Sequence, residues 1–375
     1  MEFRDLKAQY RKYKTEIDSA IQEVLNNTNF IGGKEVNTLE QRLSEYVGVK
    51  HCITCANGTE AMTLVLMVWN IKEGDAVFVP DFTFFSTGEV VSYRKATPVF
   101  VDVDKDTFNI DTVKLEKTIN KVLKEGKLTP KAIIPVDLFG LPADHIEIER
   151  IAKKYNLRVL EDGAQGFGGS INGKRACSFG DAATTSFFPA KPLGCYGDGG
   201  AIFTNDDELS ELLNSLKVHG KGDNKYDNVK IGVNSRLDSI QAAVLNVKLT
   251  AFIEHELEDV NNIYRIYNEK LEGIVEIPVI PEGYISSFAQ YTIKLKNKEE
   301  RDSFKDKLKE KGIPSMVYYV KPMHKQNAFQ ELGYNDSKFE VTNELCDIVL
   351  SLPMHPYLNE KDIFNVCKVI TDTLN

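Results

Sequence analysis

Ala76-Val77-Phe78-Val79, Pro98-Val99-Phe100-Val101 and Ala132-Ile133-Ile134-Pro135-Val136 are short apolar runs separated by helically patterned stretches. Runs of this kind suit strands buried on both faces, and strands that alternate with helices imply βαβ units in a mostly parallel sheet. Arg158-Val159-Leu160, Ala183-Thr184-Thr185-Ser186-Phe187-Phe188 and Ala201-Ile202-Phe203-Thr204 continue the series, and residues 146–155 form one crossover helix. Upstream, Ile17, Ile21, Val24 and Leu25 fall at i, i+4, i+7 and i+8, which predicts an amphipathic helix, and a second follows over Lys34–Val47. After Arg236 the texture changes. A long helical stretch covers about 239–271, and shorter patterns follow Gly273, with turn signals at Pro278, Pro281-Glu282-Gly283 and Gly312-Ile313-Pro314. Residues 305–311 read as a solvated helix face. The expectation is a large α/β domain with N-terminal helices over residues 1–250 and a smaller α+β domain over 251–375, with a helix crossing the boundary.

Composition narrows the partners. The chain has 375 residues, 42% hydrophobic and 27% charged, which fits two or three globular domains and not a disordered chain. Lys and Arg number 46 against 55 Asp and Glu, so no basic excess recommends nucleic acid or anionic lipid. Met1-Glu2-Phe3-Arg4-Asp5-Leu6 lacks the apolar core of a signal peptide, and the longest apolar stretch, near 62–69, is far short of a membrane span. Six cysteines then suit a reducing cytoplasm. Cys52 and Cys55 form a C-x2-C pair, but in the run Cys52-Ile53-Thr54-Cys55-Ala56 they point to opposite faces of a strand. No second pair at zinc spacing accompanies them, so no metal site is expected.

Two nucleotide motifs fail when read closely. Gly168-Gly169-Ser170-Ile171-Asn172-Gly173-Lys174 matches G-x-x-x-x-G-K, but Arg175 stands where a Ser or Thr would hold magnesium, and a surface hairpin turn is the plainer expectation. No G-x-G-x-x-G follows the first strand. Asn57-Gly58-Thr59-Glu60 is a better phosphate site. It joins a strand to a helix over about 61–69, where free amides and the helix dipole favour an anion. An ordinary helix cap is the alternative for that segment alone.

Further on, Ser186-Phe187-Phe188-Pro189-Ala190-Lys191-Pro192-Leu193-Gly194 sets one lysine among apolar and small residues. A desolvated lysine has a lowered pKa and becomes a competent amine nucleophile for a carbonyl. Leu160-Glu161-Asp162-Gly163-Ala164-Gln165 lies at a strand end, where α/β proteins place ligands, and Asp162 there could keep a pyridine nitrogen protonated while Glu161 points away. Thr83-Phe84 supplies an aromatic to stack on a pyridine ring. A phosphate cradle, an acid and a buried lysine in that order fit pyridoxal 5'-phosphate.

These segments resemble the DegT/DnrJ/StrS family of pyridoxal-phosphate sugar aminotransferases along nearly the whole chain. The likeness continues through Gly197-Asp198-Gly199-Gly200, Gly232-Val233-Asn234-Ser235-Arg236-Leu237, Gln241-Ala242-Ala243, Met323-His324 and Ser351-Leu352-Pro353-Met354-His355-Pro356. Within the family it is most similar to the branch that aminates C3 of UDP-linked 3-keto-glucuronate sugars. The resemblance implies a fold type I transferase with a mostly parallel seven-stranded sheet. It implies that Lys191 is the Schiff-base lysine and moves the proton, with Asp162 on the pyridine nitrogen and Gln165 near the ring hydroxyl. Gly58, Thr59 and Ser186 would hold the phosphate, Phe84 would stack on the ring, and Asn234 would reach the phosphate of a neighbouring subunit in a homodimer. Arg236, Tyr318, Tyr319 and His324 are candidates for the sugar or diphosphate. Gly163 stands where alanine is usual in the acidic motif, a departure expected to alter packing and not chemistry. Some members of the family are dehydratases with histidine in place of the lysine, so Lys191 argues for transamination.

The expected activity is transfer of an amino group from L-glutamate to the keto carbon of a nucleotide-linked sugar, UDP-linked or alternatively dTDP- or GDP-linked, in surface polysaccharide synthesis. The competing expectation is a non-catalytic, cofactor-binding regulator or scaffold on the same fold.

Overall fold

The computed structural model describes residues 1–224 and 226–374. Three helices lead: α1 (Leu6–Lys12), α2 (Lys14–Asn27) and α3 (Lys34–Val47). The stripe expected on α2 is partly realised, because Ile17 and Val24 are buried but Leu25 stays 43% exposed. Alternation then begins with β1 (His51–Cys55), α4 (Gly58–Val68), β2 (Asp75–Pro80), α5 (Ser86–Tyr93), β3 (Thr97–Val101), α6 (Thr112–Glu125), β4 (Thr129–Ile133), α7 (His145–Tyr155) and β5 (Arg158–Asp162). A small hairpin, β6 (Ser170–Ile171) and β7 (Lys174–Arg175), precedes β8 (Ala182–Ser186), β9 (Gly200–Thr204) and α8 (Asp207–Leu216).

The seven long strands form one sheet in the order β1-β9-β8-β5-β4-β2-β3. All are parallel except β9, which runs against both neighbours. The apolar runs explain why both faces are covered. On β2, Val77 and Val79 enter the core shared with α4 and α5, while Ala76 and Phe78 enter the core shared with α6 and α7. Cys52 and Cys55 divide in the same way between two cores, as a period of two requires. Two strand ends fall short of the sequence reading. β4 stops at Ile133, ahead of Pro135, which has no N–H for a ladder, and Phe187 and Phe188 leave β8 to begin the loop that carries Lys191. The Gly168–Lys174 motif is a hairpin, its turn made by Asn172 and Gly173 at φ of 49° and 82°.

The long helix is also present. α9 (Ser239–Ala251) passes through a π-helical turn (Phe252–Glu256) into α10 (Leu257–Leu271). After it come β10 (Tyr284–Ile285), β11 (Tyr291–Lys294), α11 (Lys298–Glu310), α12 (Glu340–Ile348), β12 (Val349–Leu352) and α13 (Glu360–Leu374). β11 and β12 pair antiparallel, and Tyr267, Tyr291, Phe304, Leu350 and Val366 gather in a second core beside them. β10 adds to the β6–β7 hairpin as a separate three-stranded sheet, tying this region back to the chain between β5 and β8. Among the described residues, no helix is long and apolar enough to cross a membrane.

Candidate active site

Parallel strands end on one side of a sheet, and β1, β5 and β8 bring their carboxyl ends together there. Asn57 caps α4, its side chain accepting from the Glu60 amide at 2.8 Å, which leaves the Gly58 and Thr59 amides ahead of the helical ladder. A Cβ on Gly58 would come within 2.9 Å of Ser186 Cβ and 3.4 Å of the Thr185 carbonyl. Only glycine lets the start of α4 lie against the end of β8. Gly58, Thr59 and Ser186 therefore form one continuous edge.

Asp162 closes β5 and is 5% exposed. It accepts from the Thr87 hydroxyl at 3.0 Å and the Ala164 amide at 3.2 Å, and Thr87 in turn meets the Thr83 hydroxyl at 3.2 Å. Burial raises its pKa above the ordinary aspartate value, against the pull of Lys191, the Ala164 amide and Thr87. Lys191 is partly buried within electrostatic reach of Asp162. Its own pKa is lowered, by burial first, with Asp162 opposing and the Arg4 guanidinium assisting. Gln165 accepts from the Phe139 amide at 2.9 Å and donates to the Tyr319 hydroxyl at 3.2 Å. Tyr319 thus joins the site through Gln165, and Tyr318 lies beside it with its ring 5.8 Å away. Phe84 is 56% exposed, its ring left open to solvent at the start of α5. Glu161 points to the opposite face, accepting from the Phe179 amide at 2.8 Å and from the Cys177 amide. Gly163 now has a reason: a Cβ there would sit 2.6 Å from Cys177 Sγ.

His324 needs a correction. Instead of facing a ligand, it is 6% exposed, stacked on Phe339 with ring centroids 4.3 Å apart. Its Nδ1 meets Asp81 at 2.6 Å and its Nε2 meets Asp336 at 2.9 Å, so neither ring nitrogen is free for a sugar. Burial disfavours its charge, but the hydrogen bonds and charges of Asp81 and Asp336 outweigh burial, and its pKa lies above the ordinary value. A raised histidine stabilises the fold fully below the unfolded value of about 6.5 and loses that contribution as pH rises through the folded value. We expect His324→Gln to cost about 1–3 kcal/mol at pH 6 and clearly less at pH 9. Thermal melts at both pH values check this; a gap independent of pH would contradict it.

Asn234 and Arg236 are both exposed, and neither side chain bonds within the chain among the described residues. Ser235, between them, ties the loop down by accepting from the Ala56 amide at 3.1 Å, next to the start of α4. Several contributors carry no signature in the sequence: Thr87 behind Asp162, Asp81 behind His324, and Arg4, which donates to the Lys191 carbonyl at 2.8 Å. Behind the sheet, Asp137, His145 and Glu161 bring donor atoms within 4.8 Å of one another. His145 Nε2 and Asp137 meet directly at 2.7 Å as a buried hydrogen bond, and burial pushes the Asp137 carboxyl up to about 7.

The profile of the DegT/DnrJ/EryC1/StrS aminotransferase family matches residues 11–371. The chain belongs to this family. Among DegT/DnrJ/EryC1/StrS relatives, a Pseudomonas aeruginosa UDP-2-acetamido-2-deoxy-3-oxo-D-glucuronate aminotransferase is 44% identical, over 99% of this chain and all of its own. A Geobacillus stearothermophilus protein named pleiotropic regulatory protein is 41% identical, over 95% of this chain and 94% of its own. The crystal structure of a DegT/DnrJ/EryC1/StrS aminotransferase from Brucella abortus superposes with a TM-score of 0.97 at 48% identity, covering both chains completely.

Proposed function

We propose that this protein is an aminotransferase that takes the amino group of L-glutamate and delivers it to the keto carbon of a nucleotide-linked sugar in surface glycan synthesis. C3 of a UDP-linked keto-uronate is the first candidate acceptor. One arrangement carries the reading. A lysine amine biased towards its neutral form lies within reach of a buried carboxylate, and the open start of α4 rests against Ser186 beside them.

That arrangement suits pyridoxal 5'-phosphate, which when bound supplies an electrophilic carbonyl and an electron sink. Gly58, Thr59 and Ser186 would bind its phosphate through amides and hydroxyls at a helix start. Asp162, held by Thr87 and Ala164, would keep a proton on the ring nitrogen. Gln165 would face the ring hydroxyl while Tyr319 fixes its amide, and Phe84 would cover the ring. Lys191 Nζ would carry the proton at the substrate carbon. Arg236, a planar fork with permanent charge, suits a sugar carboxylate or diphosphate, and Tyr318 and Tyr319 would line the sugar. The test is a reverse assay with 2-oxoglutarate and UDP-, GDP- and dTDP-linked amino sugars. Glutamate should form with a UDP-linked 3-amino sugar, and no glutamate from any donor would defeat the proposal.

The regulatory name of the Geobacillus relative favours a second reading, a cofactor-binding regulator or scaffold. A binder has no use for a lysine whose pKa burial lowers, set within reach of an acid. Glutamate should bleach the cofactor's absorbance band in an enzyme and leave it unchanged in a binder.

We place both active sites of a homodimer across its interface. Support comes from the exposed side chains of Asn234 and Arg236, unbonded among the described residues, beside the start of α4. An Asn234→Ala/Arg236→Ala protein and a Lys191→Ala protein should each be inactive. Mixed with subunit exchange, they should recover about a quarter of wild-type activity, because half the dimers hold one intact site of two. No recovery under proven exchange would mean that the loop serves its own chain. We also place the division between the domains near residue 250, at the π-helical turn, and the protein in the cytoplasm, where its six free buried cysteines would stay reduced.

A further inference from the structure

Two cations grip the loop that carries Lys191 by its backbone. Arg4 donates from Nη2 to the Lys191 carbonyl at 2.8 Å and to the Pro192 carbonyl at 3.5 Å. Lys248, on α9 and 1% exposed, donates to the Gly194 carbonyl at 2.6 Å. The residues before Arg4 are tied elsewhere. The Phe3 carbonyl accepts from the Met354 amide at 3.4 Å, the Glu2 carbonyl meets His355 Nε2 at 3.3 Å, and the Phe3 ring lies 6.3 Å from that of Tyr318. Residues 2–4 therefore strap the segment after β12 to the backbone of Lys191.

We propose that Arg4 is a positioning residue for the reaction: it fixes the backbone of the Lys191 loop and sets a second positive charge within electrostatic reach of the Lys191 amine. The proposal rests on the reading of Lys191 as the cofactor-bearing lysine. The physical step is like-charge repulsion. A guanidinium bonded to the lysine's own carbonyl penalises an ammonium on the same residue, in a site where little water screens it. Arg4 remains charged at working pH, because burial lowers its pKa only to about 10. The other groups around the pair have defined signs. Asp162 on β5 favours the ammonium form of Lys191. Glu256 in the π-helical turn, buried and bonded to the Tyr357 hydroxyl, opposes the field of Arg4. The pKa of Lys248 on α9 is itself lowered to about 8, by burial first, with Glu256 opposing and Arg4 assisting, and burial and Arg4 both hold His355 towards its neutral form, down to about 4.

The test reads the amine itself, without turnover. Full-length protein freed of cofactor is acylated with trace acetic anhydride across a pH series, and the Lys191 peptide is quantified by mass. Arg4→Gln should lower the Lys191 acylation rate at pH 8 roughly three- to tenfold, with the midpoint moved up by about half a unit to one unit. Arg4→Lys, which keeps the charge, should stay near the wild-type midpoint. A merely structural role would loosen the loop and speed acylation. An unchanged midpoint in Arg4→Gln, or equal upward shifts in both variants, overturns the proposal. If Arg4→Gln fails to fold by its thermal melt, Glu256→Gln decides. Removing the carboxylate that opposes Arg4 should move the Lys191 midpoint down, and an unchanged or higher midpoint again overturns the proposal. Borohydride fixation of cofactor tests separately whether Lys191 is the attachment site, so failure of that reading is distinguishable from failure of this one.

Discussion

Lys191→Ala should abolish turnover while the protein still binds its cofactor. The amine would supply both the point of attachment and the proton carrier, and proton transfer by a positioned side chain contributes about 10²–10⁴-fold on its own. The groups proposed for the phosphate are elsewhere, on α4 and at the end of β8, and the substitution does not touch them. The loop should also keep its path, because Arg4 and the Phe188 carbonyl bond the Lys191 backbone and not its side chain. Removing the amine takes away a cation that lowers the pKa of buried Asp162, so that carboxyl should become still harder to ionise. Borohydride should fix the cofactor to the Lys191 peptide in the wild type and to no peptide in the variant. A small exogenous amine should restore part of the activity. Fixation to Lys248, a fully buried lysine on α9 that bonds the same loop at Gly194, would overturn the assignment.

What could be read from the sequence divides along a physical line. Chemistry that a residue carries in its own local segment was visible. The apolar runs fell on sheet strands, Asn57 to Glu60 did open a helix, and Glu161 did turn away from Asp162, because strand and helix periods act over a few residues. Chemistry that depends on a distant partner was not visible. Thr87 reaches Asp162 across 75 positions and Arg4 reaches Lys191 across 187, and nothing in either local pattern marks them. His324 shows the same limit from the other side. Its family segment placed it near the sugar, yet two distant carboxylates and a stacked ring claim it. Gly163 sits between these cases. Its departure from alanine was evident, but the sulfur that forbids a methyl there comes from Cys177, fourteen positions away in sequence and brought close by the sheet.

Asp162→Asn should cripple catalysis while leaving the fold intact or firmer. The carboxylate is the group that would hold a proton on the ring nitrogen, and an asparagine amide of the same shape offers that nitrogen a donor in its place. The stabilisation of negative charge developing at the substrate carbon would then be lost. Removing one preorganised electrostatic partner costs about 10²–10³ in rate, or roughly 3–4 kcal/mol. Cofactor affinity should fall much less, because most of the proposed contacts lie at the phosphate. Stability should move the other way. Burial raises the Asp162 pKa, and an acid raised in the fold stabilises it only below its unfolded value, near 3.9, and costs stability as pH climbs through the folded value. The neutral amide escapes that cost and can still accept from Thr87 or the Ala164 amide, so the cofactor-free variant should melt no lower than wild type at pH 8 and relatively lower at pH 4. The opposite slopes separate a catalytic acid from a structural one. A residue that merely braces β5 would lose stability and activity together when replaced. A half-reaction with glutamate near the wild-type rate in Asp162→Asn would show that another group holds the ring nitrogen.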